Sequence, residues 1–288
     1  MARTRESIIW FCISSSPPPI SGANPLGSGH MNAANPVAVT IDYPGLESRG
    51  RVEDMAGDVD FPLVSLLDGR RPEALDATAY AAALIAPLDA DPRPVGLVVA
   101  YCTAAPIGHE AARLLGERRG ARPALVTLDG SGCPSTMVDA VYDSLLSRYT
   151  GASAGPDAEV SAAELRAAPQ AVLGRMRDEL TSAAARVLLA DLGDPSLANE
   201  FAGQLVEEAV DWLRHLIAAH NADFTPWPGP VFMIGSTEPG FVGDWPGAAV
   251  TTTETVPCPR SELLRHPSTA ALLATAMRSF TGTPPARC

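Results

Sequence analysis

The segment from Val95 to Leu115 carries the residues whose order speaks most directly to chemistry. Val95-Gly-Leu-Val-Val-Ala100-Tyr101-Cys102-Thr103-Ala104-Ala105-Pro106 reads as an apolar strand, a turn of small residues and the start of an amphipathic helix. A nucleophile at such a strand-to-helix turn sits in strained backbone, and the residues two before and two after it must be small for strand and helix to approach. Ala100 and Ala104 meet that requirement and put Cys102 at the apex. Pro106 falls in the first helical turn, where a missing N–H costs little. The spacing A-x-C-x-A is equally compatible with a structural cysteine buried at a strand end, so both readings stand on these residues alone.

Composition removes several alternatives. All 21 basic residues are arginine, so lysine Schiff bases, lysine-anchored pyridoxal phosphate and a phosphate loop ending in Gly-Lys are excluded. A net charge of −12 argues against nucleic-acid and anionic-membrane partners. The five cysteines, Cys12, Cys102, Cys133, Cys258 and Cys288, are odd in number and contain no C-x-x-C pair, which suggests neither a disulfide framework nor a zinc ribbon and fits a reduced, cytoplasmic protein. Cys102, Cys133 and Cys258 are expected at one end of the sheet. A redox pair or metal site there competes with the simpler reading of independent small apolar residues, and no metal or other cofactor is expected.

The elements that must position Cys102 follow from hydrophobic periodicity. Val37 to Ile41, Phe61 to Leu66, Val95 to Ala100, Ala124 to Leu128, Val231 to Ile234 and Val250 to Val256 are predicted strands. Their continuous apolar runs suit a parallel sheet buried on both faces. Helical patterns over Leu75 to Leu88, Pro106 to Arg119 and Pro267 to Phe280 alternate with them, which predicts an α/β fold with helices on both faces. The stretch from about 133 to 222 interrupts the rhythm with helical patterns at Met137 to Tyr149, Ala162 to Arg186 and Leu197 to His220, and reads as a helical lid inserted above the strand ends. Residues 1–31, rich in Ser, Pro and Gly and ending in Gly-Ser-Gly-His-Met, read as a disordered leader or tag ahead of one domain spanning 32–288. With 46% hydrophobic residues, a chain of 288 can bury one sizeable core.

After Met31 the chain resembles the thioesterase family of polyketide and non-ribosomal peptide synthases over most of its length. Family members read roughly G-x-S-x-G-G, then A-x-E-x-A-x-x-L, and here Glu110, Ala112 and Leu115 fall at that spacing with Gly108 for the first alanine. Ala124 to Gly130 is similar to the family strand that ends in the catalytic aspartate, which implies that role for Asp129. Asp42-Tyr43-Pro44-Gly45-Leu46 resembles the turn after the first core strand, and Val231-Phe232 with Asp244-Trp245 resembles the penultimate strand and its loop. Val256-Pro-Cys-Pro-Arg260-Ser-Glu-Leu-Leu-Arg265 is similar to the segment usually written V-P-G-D-H-F-x-L-L-R. The resemblance implies an α/β-hydrolase fold, an oxyanion hole from the backbone N–H groups of Leu46 and Thr103, and substrates presented on the phosphopantetheine arm of an acyl or peptidyl carrier protein.

The departures from the family are chemical. Cys102 replaces serine, both elbow glycines are alanine, and Arg260 stands where the general-base histidine belongs. Arginine cannot accept a proton near neutrality, so a Ser-His-Asp triad is not available as aligned. A free thiol titrates near 8.5, and a helix N-terminus or a nearby cation such as Arg260 favours its thiolate. Acyl transfer to Cys102 is therefore expected without a histidine, with Asp129 orienting Arg260. Release to water lacks a base, whereas an amine, a thiol or an internal nucleophile needs none. The competing expectation is a degenerate scaffold or acyl-binding protein with no covalent chemistry. His109, His215, His220 and His266 are expected as exposed or capping residues, His220 being the substitute base to consider. Glu53, Asp54, Glu207 and Glu208 are expected on solvated faces.

Overall fold

The structure is a computed structural model that describes residues 36–43, 50–120, 122–150 and 160–281. Residues 1–31, expected as a leader, and Pro44-Gly45-Leu46 lie outside the described residues.

Six parallel strands form one sheet in the order β2-β1-β3-β4-β5-β6. They are β1 (Val37–Ile41), β2 (Leu63–Ser65), β3 (Val95–Tyr101), β4 (Ala124–Leu128), β5 (Trp227–Gly235) and β6 (Ala248–Thr255). The expected α/β class and parallel sheet are thus present. Side chains alternate between two cores as a period of two requires: Val98 and Ala100 of β3 face one, Leu97 and Val99 the other.

The first core is covered by α1 (Ala77–Ile85), α2 (Ala105–Arg119) and the helices inserted between β4 and β5. The second lies under the 3-10 helices Val52–Gly57 and Arg260–Arg265 and under α7 (Pro267–Thr281). The insertion contains α3 (Ser135–Thr150), α4 (Ala162–Ala167), α5 (Pro169–Leu192) and α6 (Pro195–His220). The sequence pattern predicts one helix over 162–186, but it breaks at Ala168 (φ −143°, ψ 53°), because Pro169 cannot donate to the preceding turn and opens a new helix instead. Towards its C-terminus α6 is buried at Leu213 and from His215 to His220, and its apolar residues there belong to the first core.

Candidate functional site

β3 runs into the 3-10 turn Cys102–Ala104 and then into α2. Cys102 adopts φ 52°, in the left-handed region that a non-glycine residue rarely visits. The turn is held on both sides: the Ala105 N–H donates to the Cys102 carbonyl, and the Ser131 N–H donates to the same oxygen at 3.2 Å. Helix and strand approach so closely that a Cβ on Gly108 would stand 2.6 Å from Cβ of Ala100. The methyl of Ala100 on the strand is accommodated because the facing helix position, Gly108, carries no Cβ.

Asp129 follows β4 and also has a positive φ, 45°. Its N–H donates to the Ile234 carbonyl at 2.9 Å, and its Oδ1 accepts from the Ser236 N–H at 2.8 Å. Its Oδ2 faces Arg260, whose Nε lies 3.5 Å away. The Nη2 of Arg260 donates to the Glu238 carbonyl at 2.9 Å, so the guanidinium is oriented by a buried carboxylate and a loop carbonyl together.

Cys102, Thr103 and Arg260 line a cavity of about 620 Å³. Tyr43 and Trp212 form part of its wall, α3 supplies Ala140, Val141, Ser144 and Arg148, and the 3-10 helix after Pro259 supplies Ser261, Leu264 and Arg265. Asp129 is buried behind Arg260 and does not reach the lining. The sequence reasoning did not find Tyr43, Trp212, Arg148 or Arg265. The four-residue spacing of Ala140, Ser144 and Arg148 on a helical pattern is the signal that would have marked one face of α3.

None of the four described histidines lines this cavity. The expectation of exposed or capping positions holds only for His266, whose Nδ1 accepts from the Ser268 N–H at 3.3 Å. His109 lies on the buried face of α2 with Nε2 2.8 Å from the Thr225 carbonyl, while Trp245 Nε1–H donates to its Nδ1 at 3.3 Å. Burial lowers its pKa despite the Thr225 contact. His215 is fully buried, with Nδ1 3.3 Å from the Tyr80 hydroxyl and its ring centroid 5.0 Å from that of Tyr43. Desolvation pushes its pKa down to about 3. His220 is buried with Nδ1 2.8 Å from the Cys133 carbonyl, which as an acceptor assigns the proton to Nδ1.

Cys133 and Cys258 are buried, and desolvation pushes the Cys133 thiol up to about 12. Among the described residues no group of three or more His, Cys, Asp or Glu side chains is arranged to hold a metal ion. At the end of β1, Asp42 accepts from the Val52 N–H at 2.7 Å and from Arg51 Nη2 at 3.4 Å. Burial, reinforced by Glu53, raises its pKa to about 6. Glu53, expected on a solvated face, instead accepts from the Thr40 hydroxyl and pairs with Arg51 at 3.0 Å, because the backbone of 51–54 folds back over the strand end. Asp54 is exposed as expected, and Glu207 is in an exposed pair with Arg177 at 2.8 Å.

No family model matches the chain, and no curated protein matches it. Among solved structures it is similar to a type II thioesterase from the yersiniabactin NRPS/PKS pathway, YbtT, at 15% identity and a TM-score of 0.48, covering 89% of this chain and 96% of the other. The RedJ thioesterase of the prodiginine pathway in Streptomyces coelicolor aligns at 17% identity and a TM-score of 0.43, over 85% of this chain and 89% of its own. The four-domain nonribosomal peptide synthetase AB3403 aligns at 14% identity and a TM-score of 0.48 over 87% of this chain, which corresponds to only 20% of that synthetase. Among the described residues, no helix is long and apolar enough to cross a membrane.

Proposed function

We propose that the protein accepts an acyl group from a carrier-protein thioester onto Cys102 and passes it to an amine, a thiol or an internal nucleophile, in polyketide or non-ribosomal peptide biosynthesis. The observation that carries this reading is Cys102 itself. It is half-buried, held at φ 52° between β3 and α2, and part of the wall of a cavity large enough for a small acyl chain.

In this reading the Cys102 thiolate attacks the thioester carbonyl, and the carrier thiolate leaves and takes up a proton. Arg260, oriented by Asp129, brings positive charge to the wall that Cys102 also lines. The resemblance assigns the oxyanion donors to the N–H groups of Thr103 and of Leu46, the latter outside the described residues. An incoming amine then attacks the acyl-cysteine, loses its proton and restores Cys102. Water is a poor acceptor because none of the described histidines lines the cavity to activate it. The helices between β4 and β5 act as the lid, and the partner is an acyl or peptidyl carrier protein bearing a phosphopantetheine arm.

The engagement of Arg260 by Asp129 and the Glu238 carbonyl also favours a second reading, an acyl-binding scaffold without covalent chemistry. Intact mass after incubation with short acyl N-acetylcysteamine thioesters separates the two. An adduct on the wild-type chain that vanishes in Cys102→Ala supports acyl transfer. No adduct from any of several donors overturns it in favour of the scaffold.

A further inference from the structure

β6 (Ala248–Thr255) ends the sheet on one side, hydrogen-bonded to β5 alone. Among the described elements no helix shares more than marginal contact with it: α7 packs against β3, β4 and β5. Val250 and the residues from Thr252 to Thr255 are exposed. The connection from β5 crosses one face of the sheet, where Phe241 and Val242 share a small cavity with Thr253 and Thr255, without bonding to the backbone of the edge.

The direction of the free backbone groups follows from one contact. The Val256 N–H donates to the Gly235 carbonyl at 2.7 Å, so by the alternation of a strand Thr252 and Glu254 also turn their backbone groups towards β5. Thr251, Thr253 and Thr255 therefore turn N–H and C=O outward, and these groups have no backbone partner among the described residues. Natural sheets blunt such an edge with lysine, proline, charge, a bulge or an early stop. From Val250 to Thr255 there is neither lysine nor proline, every residue but Glu254 is β-branched, and the shift in register with β5 lies ahead of Val250.

We infer that β6 pairs with β6 of a second copy of this chain, antiparallel about a two-fold axis at Thr253, joining two sheets into one. An antiparallel ladder is the one that maps onto itself under a two-fold axis, and outward residues then meet outward residues. Thr253 faces its own equivalent and Thr251 faces the equivalent of Thr255, each pair exchanging N–H···O bonds. Between them Glu254 stands opposite the equivalent of Thr252, whose hydroxyl donates to the carboxylate. Charge selects this register over its neighbours. A dyad at Glu254 would oppose two carboxylates, and a dyad at Thr252 would set Glu254 against the exposed Val250. Since the joined strands run in opposite directions, the two cavities that hold Cys102, which lie beyond the C-terminal end of β3, open at opposite ends of the joined sheet.

Sedimentation velocity of the full chain over roughly 1–100 µM, in about 0.15 M salt to screen the like net charges of −12, reads the association. A monomer–dimer equilibrium is expected. Residue-resolved hydrogen exchange on the same samples should show the Thr253 and Thr255 amides slowing about tenfold or more as the dimer fills. Thr253→Pro removes the N–H donors across the dyad, on an edge where proline is tolerated, and should raise the dissociation constant by about 10- to 100-fold. Thr253→Lys sets like charges face to face and gives the same reading if the proline variant does not fold. A chain that stays monomeric throughout, or a dimer unchanged in both variants, would overturn the inference. Slow Thr253 and Thr255 amides in a monomer would overturn it too, by placing another segment of the same chain on the edge.

Discussion

Two buried groups in this protein titrate against each other, and separating them gives a quantitative test of the structure. His215 is fully enclosed and stands at about 3 against an ordinary 6.5. A histidine whose folded pKa is depressed contributes stability above the unfolded value and loses it as pH falls below 6.5, because only the unfolded chain then gains a proton. Between pH 7.5 and 5.0 that loss is about 2 kcal/mol. Asp42 works in the opposite direction, standing at about 6 against an ordinary 3.8. Its raised value favours the folded state as pH falls, by about 1 kcal/mol over the same interval. The wild-type chain should therefore show a shallow net loss from these two groups, deepened by the depressed His109. His215→Gln keeps a partner for the Tyr80 hydroxyl without titrating. Urea unfolding at both pH values should find the stability of wild type relative to this variant falling by about 2 kcal/mol from pH 7.5 to 5.0. Asp42→Asn should shift the comparison by about 1 kcal/mol with the opposite sign. Parallel pH profiles for wild type and His215→Gln would refute the enclosure of His215 between Tyr43 and Tyr80.

Further outcomes follow from the site. Gly108→Ala should destabilise the chain by about 1–3 kcal/mol through the collision with Ala100, and Ala100→Gly in the same chain should recover most of it; a double-mutant cycle by chemical denaturation with no coupling would contradict the shared space. Arg260→His places an imidazole beside Asp129 and should accelerate hydrolysis of a preformed acyl-Cys102 by about 10²-fold or more, read by single-turnover release of the free acid. Glu110→Gln removes the charge from a buried carboxylate paired with Arg113 at 2.8 Å and should cost about 3 kcal/mol in thermal or urea unfolding without altering the mass of any Cys102 adduct.

Much of the scaffold was legible because it follows from simple periodicity. The apolar runs of β1 and β4 fall at the predicted residues, and the small pair Ala100 and Ala104 correctly brackets the turn. β5 begins earlier than its Val231-to-Ile234 core suggests, at Trp227, because Pro228 and Pro230 lie where the register with β6 shifts and mask the strand signal. Burial of His109 and His215 was not legible, since it depends on Thr225, Trp245 and Tyr80 arriving from distant parts of the chain. The proximity of Asp129 to Arg260 was expected from the aligned segments, whereas the rest of the cavity wall required knowing which face of α3 turns towards it.

Helix α6 imposes a constraint on how anything enters the cavity. Trp212 forms part of the wall, while His215 is wedged against Tyr43 and Tyr80, His220 is tied to Cys133, and Asn221 donates to the carbonyls of Leu75 and Leu165. That end of the helix is a fixed post. Its other end exposes Leu197 and Phe201 and buries Ala198, Ala202 and Val206 against α5, within the insertion itself. Swinging α6 aside as a rigid door would tear out its own hinge, so the wall at Trp212 stays put however a ligand is admitted.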